Sequence, residues 1–181
     1  FEPLQRTWNA VRPKIEAFLP DLKWINFGGG HHITRADYDR EALVAFIHEI
    51  REQTGLDIYL EPGEAVALDA GILIGEVLDL PTNGMNLLIT DLSATCHMPD
   101  VIEAPYRPEL MDESGDGEPY RMGGPSCLAG DVIGDYRFSP PPQIGDRFAF
   151  LDQAHYSFVK TNTFNGVPLP SIAIWNSETD E

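Results

Sequence analysis

Three consecutive glycines, Gly28-Gly29-Gly30, follow directly on a short apolar run at 24–27 and precede a helical pattern over 38–53. Strand, glycine turn and helix in that order place backbone N–H groups where no Cβ keeps an anion away. A helix N-terminus fed by such a turn adds a favourable dipole for a phosphate. The spacing is not G-x-G-x-x-G, so no dinucleotide fingerprint is implied. A bare glycine triplet is more often the mark of a tight turn without a ligand, and what favours the phosphate is its company further along the chain. Glu61-Pro62-Gly63 stands at the end of the next short strand pattern, in the same register as the glycine turn. Pro62 fixes that turn, Gly63 permits close approach, and the Glu61 carboxylate then suits a cationic ring nitrogen. A helix cap or a surface ion pair is the plainer use of the same glutamate. Gly123-Gly124-Pro125-Ser126-Cys127-Leu128-Ala129-Gly130-Asp131 surrounds one cysteine with small residues and sets an acid four positions after it. A thiol presented from such a loop works as an acid or nucleophile when its pKa is lowered, although a lone cysteine is more often a small buried hydrophobe. Ala154-His155-Tyr156-Ser157 and Thr163-Phe164-Asn165-Gly166 complete the set. A tyrosine hydroxyl on a strand reaches a phosphate; aromatic packing is the alternative. His31-His32 and Cys96-His97 lack C-x-x-C or H-E-x-x-H spacing, so no metal site is expected.

These residues need elements to position them. Trp8, Val11, Ile15, Phe18 and Leu19 recur at helical spacing over 1–18, interrupted by Pro13. Thr34-Arg35-Ala36-Asp37 supplies a cap for the helix over 38–53, Leu43, Val44, Phe46, Ile47 and Ile50 its buried face, and Gly55 its stop. A strand at 57–60 and a helical turn or two at 65–70 follow. The alternation argues parallel β/α units with ligand loops at the carboxyl ends of the strands. Beyond residue 71 the pattern changes. An apolar run at 72–80, the turn Pro81-Thr82-Asn83-Gly84 and a return strand at 87–90 read as a hairpin. Short strands are expected near 131–138, 147–151 and 172–175, and an acidic loop at 112–119. The expected fold class is therefore α/β plus β: β/α units over 1–70, then a mostly antiparallel β-domain over 71–181.

The 181 residues include 29 acidic and 12 basic side chains, a net charge of -17. That disfavours nucleic acid and anionic membranes as partners and leaves room for a cationic ligand, although a solubilising acidic surface is the plainer account of most of this charge. No apolar run is long enough to span a bilayer. Two cysteines, Cys96 and Cys127, make no disulfide framework, and a reducing cytoplasm is the expected compartment. The chain opens on Phe1 rather than Met, and a longer parent chain is expected.

Taken in order, the glycine triplet, Glu61-Pro62-Gly63, Gly124-Pro125-Ser126-Cys127, Tyr156 and Thr163-Phe164-Asn165-Gly166 resemble the alanine-racemase-type (fold type III) pyridoxal-phosphate decarboxylases. The wording Phe27-Gly28-Gly29-Gly30-His31-His32, Glu61-Pro62-Gly63-Glu64-Ala65 and Ala94-Thr95-Cys96-His97-Met98-Pro99-Asp100 is similar to the branch acting on carboxynorspermidine and carboxyspermidine in polyamine synthesis. The resemblance runs over essentially the whole chain and corresponds to the back half of the enzymes. It implies the C-terminal part of a PLP-binding (β/α)8 barrel followed by the β-domain, and a homodimer with shared sites taking a cationic, polyamine-like substrate. Gly28, Gly29, Gly30 and Gly63 would line the cofactor, Glu61 would pair with its pyridine nitrogen, and Tyr156 would hydrogen-bond its phosphate. Cys127 would cross the dimer interface and reprotonate the substrate carbon; Asp131 falls where the family has an acid near the substrate. Glu64 stands where ornithine and arginine enzymes have arginine, and Leu128 where they often have an acid. None of Lys14, Lys23 and Lys160 matches the family's cofactor lysine, so an upstream segment of comparable length is expected to carry it. A diaminopimelate- or ornithine-type decarboxylase, or a non-catalytic homologue binding a phosphate ligand, are the alternatives.

Overall fold

The computed structural model describes residues 1–179; the last two positions of the 71–181 expectation lie outside them. The chain divides into two compact units, Phe1–Leu68 and the part from Asp69 onward.

In the first unit, α1 (Glu2–Ile15) carries Pro3 in its first turn, where a missing N–H costs nothing. Pro13 near its other end gives way to a 3-10 turn, Glu16–Asp21. β1 (Trp24–Asn26) and β2 (Asp57–Tyr59) pair in parallel with Ile25 opposite Ile58. Both isoleucines turn to the core while Trp24, Asn26, Asp57 and Tyr59 face outward, the period of two that a half-buried strand requires. Between the strands runs α2 (Arg40–Thr54). Its cap is Asp39, whose carboxylate accepts from Ala42 N at 2.9 Å, not the expected 34–37 segment. Arg35 and Asp37 instead pair with each other at 2.7 Å. Gly55, at φ +73°, ends α2 in the left-handed conformation that glycine tolerates best. Trp8, Leu19, Phe46, Ile50 and Leu56 form the core, with Ile25, Phe27 and Ile58 packed against it. Burying a side chain such as Ile50 contributes about 1.5–3 kcal/mol. A short α3 (Glu64–Ala67) closes the unit.

The second unit is a five-stranded mixed sheet in the order β6-β5-β4-β3-β7. Its strands are β3 (Leu73–Asp79), β4 (Leu87–Thr90), β5 (Glu118–Gly123), β6 (Val132–Phe138) and β7 (Arg147–Phe150). β3 and β4 form the expected hairpin, with Gly84 at φ +69° in its turn. The junctions β5–β6 and β3–β7 are also antiparallel, but β4 and β5 run parallel, joined through α4 (Ala94–His97) and α5 (Asp100–Glu103). Val77, Leu88, Met98, Met122, Ile133, Tyr136 and Phe150 fill the core. The Tyr136 hydroxyl donates to Pro108 O at 2.8 Å, and burial pushes its pKa up. Two expectations fail here. Residues 172–175 form no strand, and Tyr156 begins a short helix, α6 (Tyr156–Val159), instead of lying on a strand.

Candidate functional site

The end of β1 in the first unit is built around the glycine turn. Gly28 and Gly30 adopt φ +69° and +79°, and a Cβ on either would meet no atom within 4 Å. Side chains are therefore disfavoured by conformation, and the space they would occupy is open. The Gly28 N–H is held by Asn26, but those of Gly29 and Gly30 have no acceptor among the described residues. Two unengaged donors on a Cβ-free turn fit an anionic group such as a phosphate. Glu61 is joined to this turn by backbone: its N–H donates to Gly28 O at 2.8 Å, and Gly63 N–H donates to Glu61 O at 2.8 Å. The side chains are joined too, because Asn26 Nδ2 donates to Glu61 Oε1 at 2.5 Å. Gly63 sits at the start of α3 with open space where its Cβ would be. Gly28, Gly29, Gly30, Glu61 and Gly63 are thus gathered at one strand end.

Glu64 turns away to hold the segment that follows the glycines. Its Oε2 lies 2.5 Å from His32 Nδ1, and its Oε1 accepts from Thr34 Oγ1. His31 beside it is buried, with an Nε2 that finds no partner among the described residues.

The cysteine loop of the second unit joins β5 to β6. Cys127 is exposed at its tip, and its N–H donates to Asn165 Oδ1 at 2.8 Å. Asn165 stands at φ +60°, a conformation its short polar side chain tolerates. Asp131 is buried at the loop base. Its carboxylate accepts from Ser93 Oγ (2.9 Å), Thr95 N (3.1 Å) and Ser126 N (3.1 Å), all groups of the protein itself. A Cβ on Gly124 would overlap that carboxylate, so the loop's second glycine is required by packing. Cys127 and Asp131 share one loop; Tyr156 is exposed on α6.

His97 and Cys96 serve the same scaffold. Ser93 N–H donates to His97 Nδ1 at 3.2 Å, which leaves the proton on Nε2, 2.9 Å from Pro168 O. Cys96 Sγ donates to Phe164 O at 3.4 Å. Among the described residues no three His, Cys, Asp or Glu side chains gather as metal ligands. Lys160 is held by Asp100 and Glu103, each at 2.5 Å. Their hydrogen bonds, Asp100's first, keep its ammonium above the usual lysine range, so it is a poor source of free amine. Sequence reasoning gave Asn26 and Ser93 no role and named Asn165 only as part of its motif. Asn-Phe-Gly and Asn-Gly were the available signals, since asparagine commonly accepts from the backbone two residues on and tolerates the left-handed region.

Residues 24–154 match the pyridoxal-dependent decarboxylase family, C-terminal sheet domain. The chain belongs to this family. It is 37% identical over 193 aligned residues to the carboxynorspermidine/carboxyspermidine decarboxylase of Campylobacter jejuni, covering 99% of this chain and 50% of that protein. It is 43% identical over 175 residues to the carboxyaminopropylagmatine decarboxylase of Synechocystis, covering 93% and 45%. The crystal structure of the Campylobacter jejuni carboxynorspermidine decarboxylase complexed with norspermidine superposes with a TM-score of 0.83 at 39% identity, over 93% of this chain and 50% of that one. The chain spans about half the length of the curated relatives it matches.

Proposed function

We propose that this chain is the C-terminal half of a PLP-dependent decarboxylase that removes the α-carboxylate of a carboxylated polyamine, carboxynorspermidine or carboxyspermidine. The observation that carries the reading is the strand end at which a glycine turn with two unengaged N–H groups is tied to Glu61, through its backbone and through Asn26. Gly29 and Gly30 would hold the phosphate through their N–H groups, and Glu61 would hold a proton at the pyridine nitrogen. When bound, the cofactor supplies an electron sink for the pair left by departing CO₂. Tyr156 would be a further hydrogen-bond donor to the phosphate. The exposed Cys127 thiol delivers a proton to the substrate carbon that has lost its carboxylate. Asp131 lies near the substrate but acts by holding the cysteine loop in shape.

The protein works as a cytoplasmic homodimer in which the Cys127 loop of one copy serves the glycine turn of the other. An upstream segment completes the barrel and carries the cofactor lysine. The net charge of -17 supports a polycationic substrate. The Synechocystis relative favours a second substrate reading, carboxyaminopropylagmatine. The test is CO₂ release by the full-length, PLP-loaded protein on these three compounds and on ornithine and diaminopimelate. A kcat/KM on a carboxylated polyamine at least tenfold above that on either amino acid is expected. Equal or reversed values would refute the substrate class.

A further inference from the structure

We infer that Asn26 is the positioning residue of the cofactor site, a single side-chain amide that sets the phosphate turn and the ring-facing carboxylate together. The inference rests on the reading of Glu61 given above. Asn26 is the last residue of β1, and its side chain points outward, away from the core that Ile25 enters. Its Oδ1 accepts from Gly28 N at 2.8 Å, and its Nδ2 donates to Glu61 Oε1 at 2.5 Å. The chemistry of the two partners fixes which way the amide faces. A backbone N–H requires the oxygen and a carboxylate requires the NH2.

The backbone already brings the loops together through Glu61 N and Gly28 O at 2.8 Å. A Cβ on Gly29 would stand 3.0 Å from Glu61 O, so that close approach favours glycine. What the backbone leaves undetermined is the direction of the Glu61 carboxylate. Asn26 determines it: with Oε1 taken by a charge-assisted bond, Oε2, which has no partner among the described residues, is the oxygen left for the ring nitrogen. Few other side chains do both tasks. Aspartate keeps the bond to Gly28 N but sets a second carboxylate against Glu61. Leucine, of similar size, loses both contacts. Glu61→Gln preserves an acceptor for Asn26 and removes the charge.

The test loads the full-length protein with PLP labelled with ¹⁵N in the ring and reads two resonances, the ring ¹⁵N for protonation and the ³¹P for the phosphate. Glu61→Gln should move the ring resonance towards the unprotonated position and leave the phosphate at its wild-type shift. Asn26→Leu should move both, with kcat lowered about tenfold, the scale of one charge-assisted hydrogen bond. Asn26→Asp should keep the phosphate resonance and move the ring resonance, and it decides the matter if Asn26→Leu fails to fold. A ring resonance that moves in Glu61→Gln but stays at the wild-type value in the Asn26 variants overturns the role of Asn26 alone. One that stays in Glu61→Gln overturns the assignment of Glu61 and this inference with it.

Discussion

Asp131→Asn keeps the shape of a buried side chain while removing its charge and one of its acceptors. In the wild-type loop Oδ1 accepts from Ser93 Oγ and Thr95 N, and Oδ2 accepts from Ser93 Oγ and Ser126 N. An amide has one oxygen. Whichever way it is turned, its NH2 faces a backbone donor, either Thr95 N or Ser126 N. Asp131 is 4% exposed, so water does not make good the loss. Leaving one such donor unsatisfied costs about 1–3 kcal/mol. At a central value of about 2 kcal/mol, local opening becomes roughly thirtyfold more frequent, from tenfold per 1.36 kcal/mol. Hydrogen exchange on the full-length protein reads this at the amides of Thr95 and Ser126. Both should exchange faster, one of them by about that factor, while amides in the β3–β7 pairing stay within about twofold. Exchange at Thr95 and Ser126 unchanged from wild type would refute the assignment of Asp131 as the clamp of the cysteine loop.

Cys127→Ala and a variant lacking the upstream cofactor lysine should each be nearly inactive, and random reassortment should return roughly a quarter of wild-type activity, since about half the dimers are mixed and each has one working site of two. Verified heterodimers with no activity above that of the separate variants would place Cys127 outside a shared site. The Asp135 carboxyl is held below its usual range by the hydrogen bond from Arg121. Its stabilisation is therefore present above the unfolded carboxyl pKa of about 3.9 and is lost as pH falls through the lower folded value. Asp135→Asn should flatten the acid limb of the stability profile, and an unchanged acid limb in denaturation experiments between neutral pH and pH 2 would contradict the pairing.

Local pattern carried the reading a long way at the glycine turn. A short apolar run, three glycines and an amphipathic helix leave little freedom, and Glu61 followed from the next strand end by the same logic. The Asn83-Gly84 hairpin was equally local. What sequence order concealed was pairing across distance. The carboxylate of Asp131 meets Ser93 and Thr95, 38 and 36 positions away, and no short motif announces that its acceptors are all engaged. The parallel β4–β5 pairing has the same origin, a crossover through α4 and α5 that a hairpin signal does not predict. At 172–175 a short apolar run suggested a strand, but β-propensity reports a surface to pair with as much as a backbone preference. Tyr156 was misplaced too. It was expected on a strand, while a turn of helix closed by Lys160 N–H to Tyr156 O holds it. Asn26 had a recognisable backbone-turn signature, but its reach to Glu61, 35 residues on, is a tertiary fact.

The central claim is that the glycine turn and Glu61 hold the cofactor. A crystal structure of the PLP-loaded full-length protein tests it directly. The phosphate should accept from Gly29 and Gly30 N–H within about 2.7–3.2 Å, with the Tyr156 hydroxyl also in reach and the ring nitrogen against Glu61 Oε2. A phosphate bound elsewhere, or a ring nitrogen facing a different residue, would contradict the account.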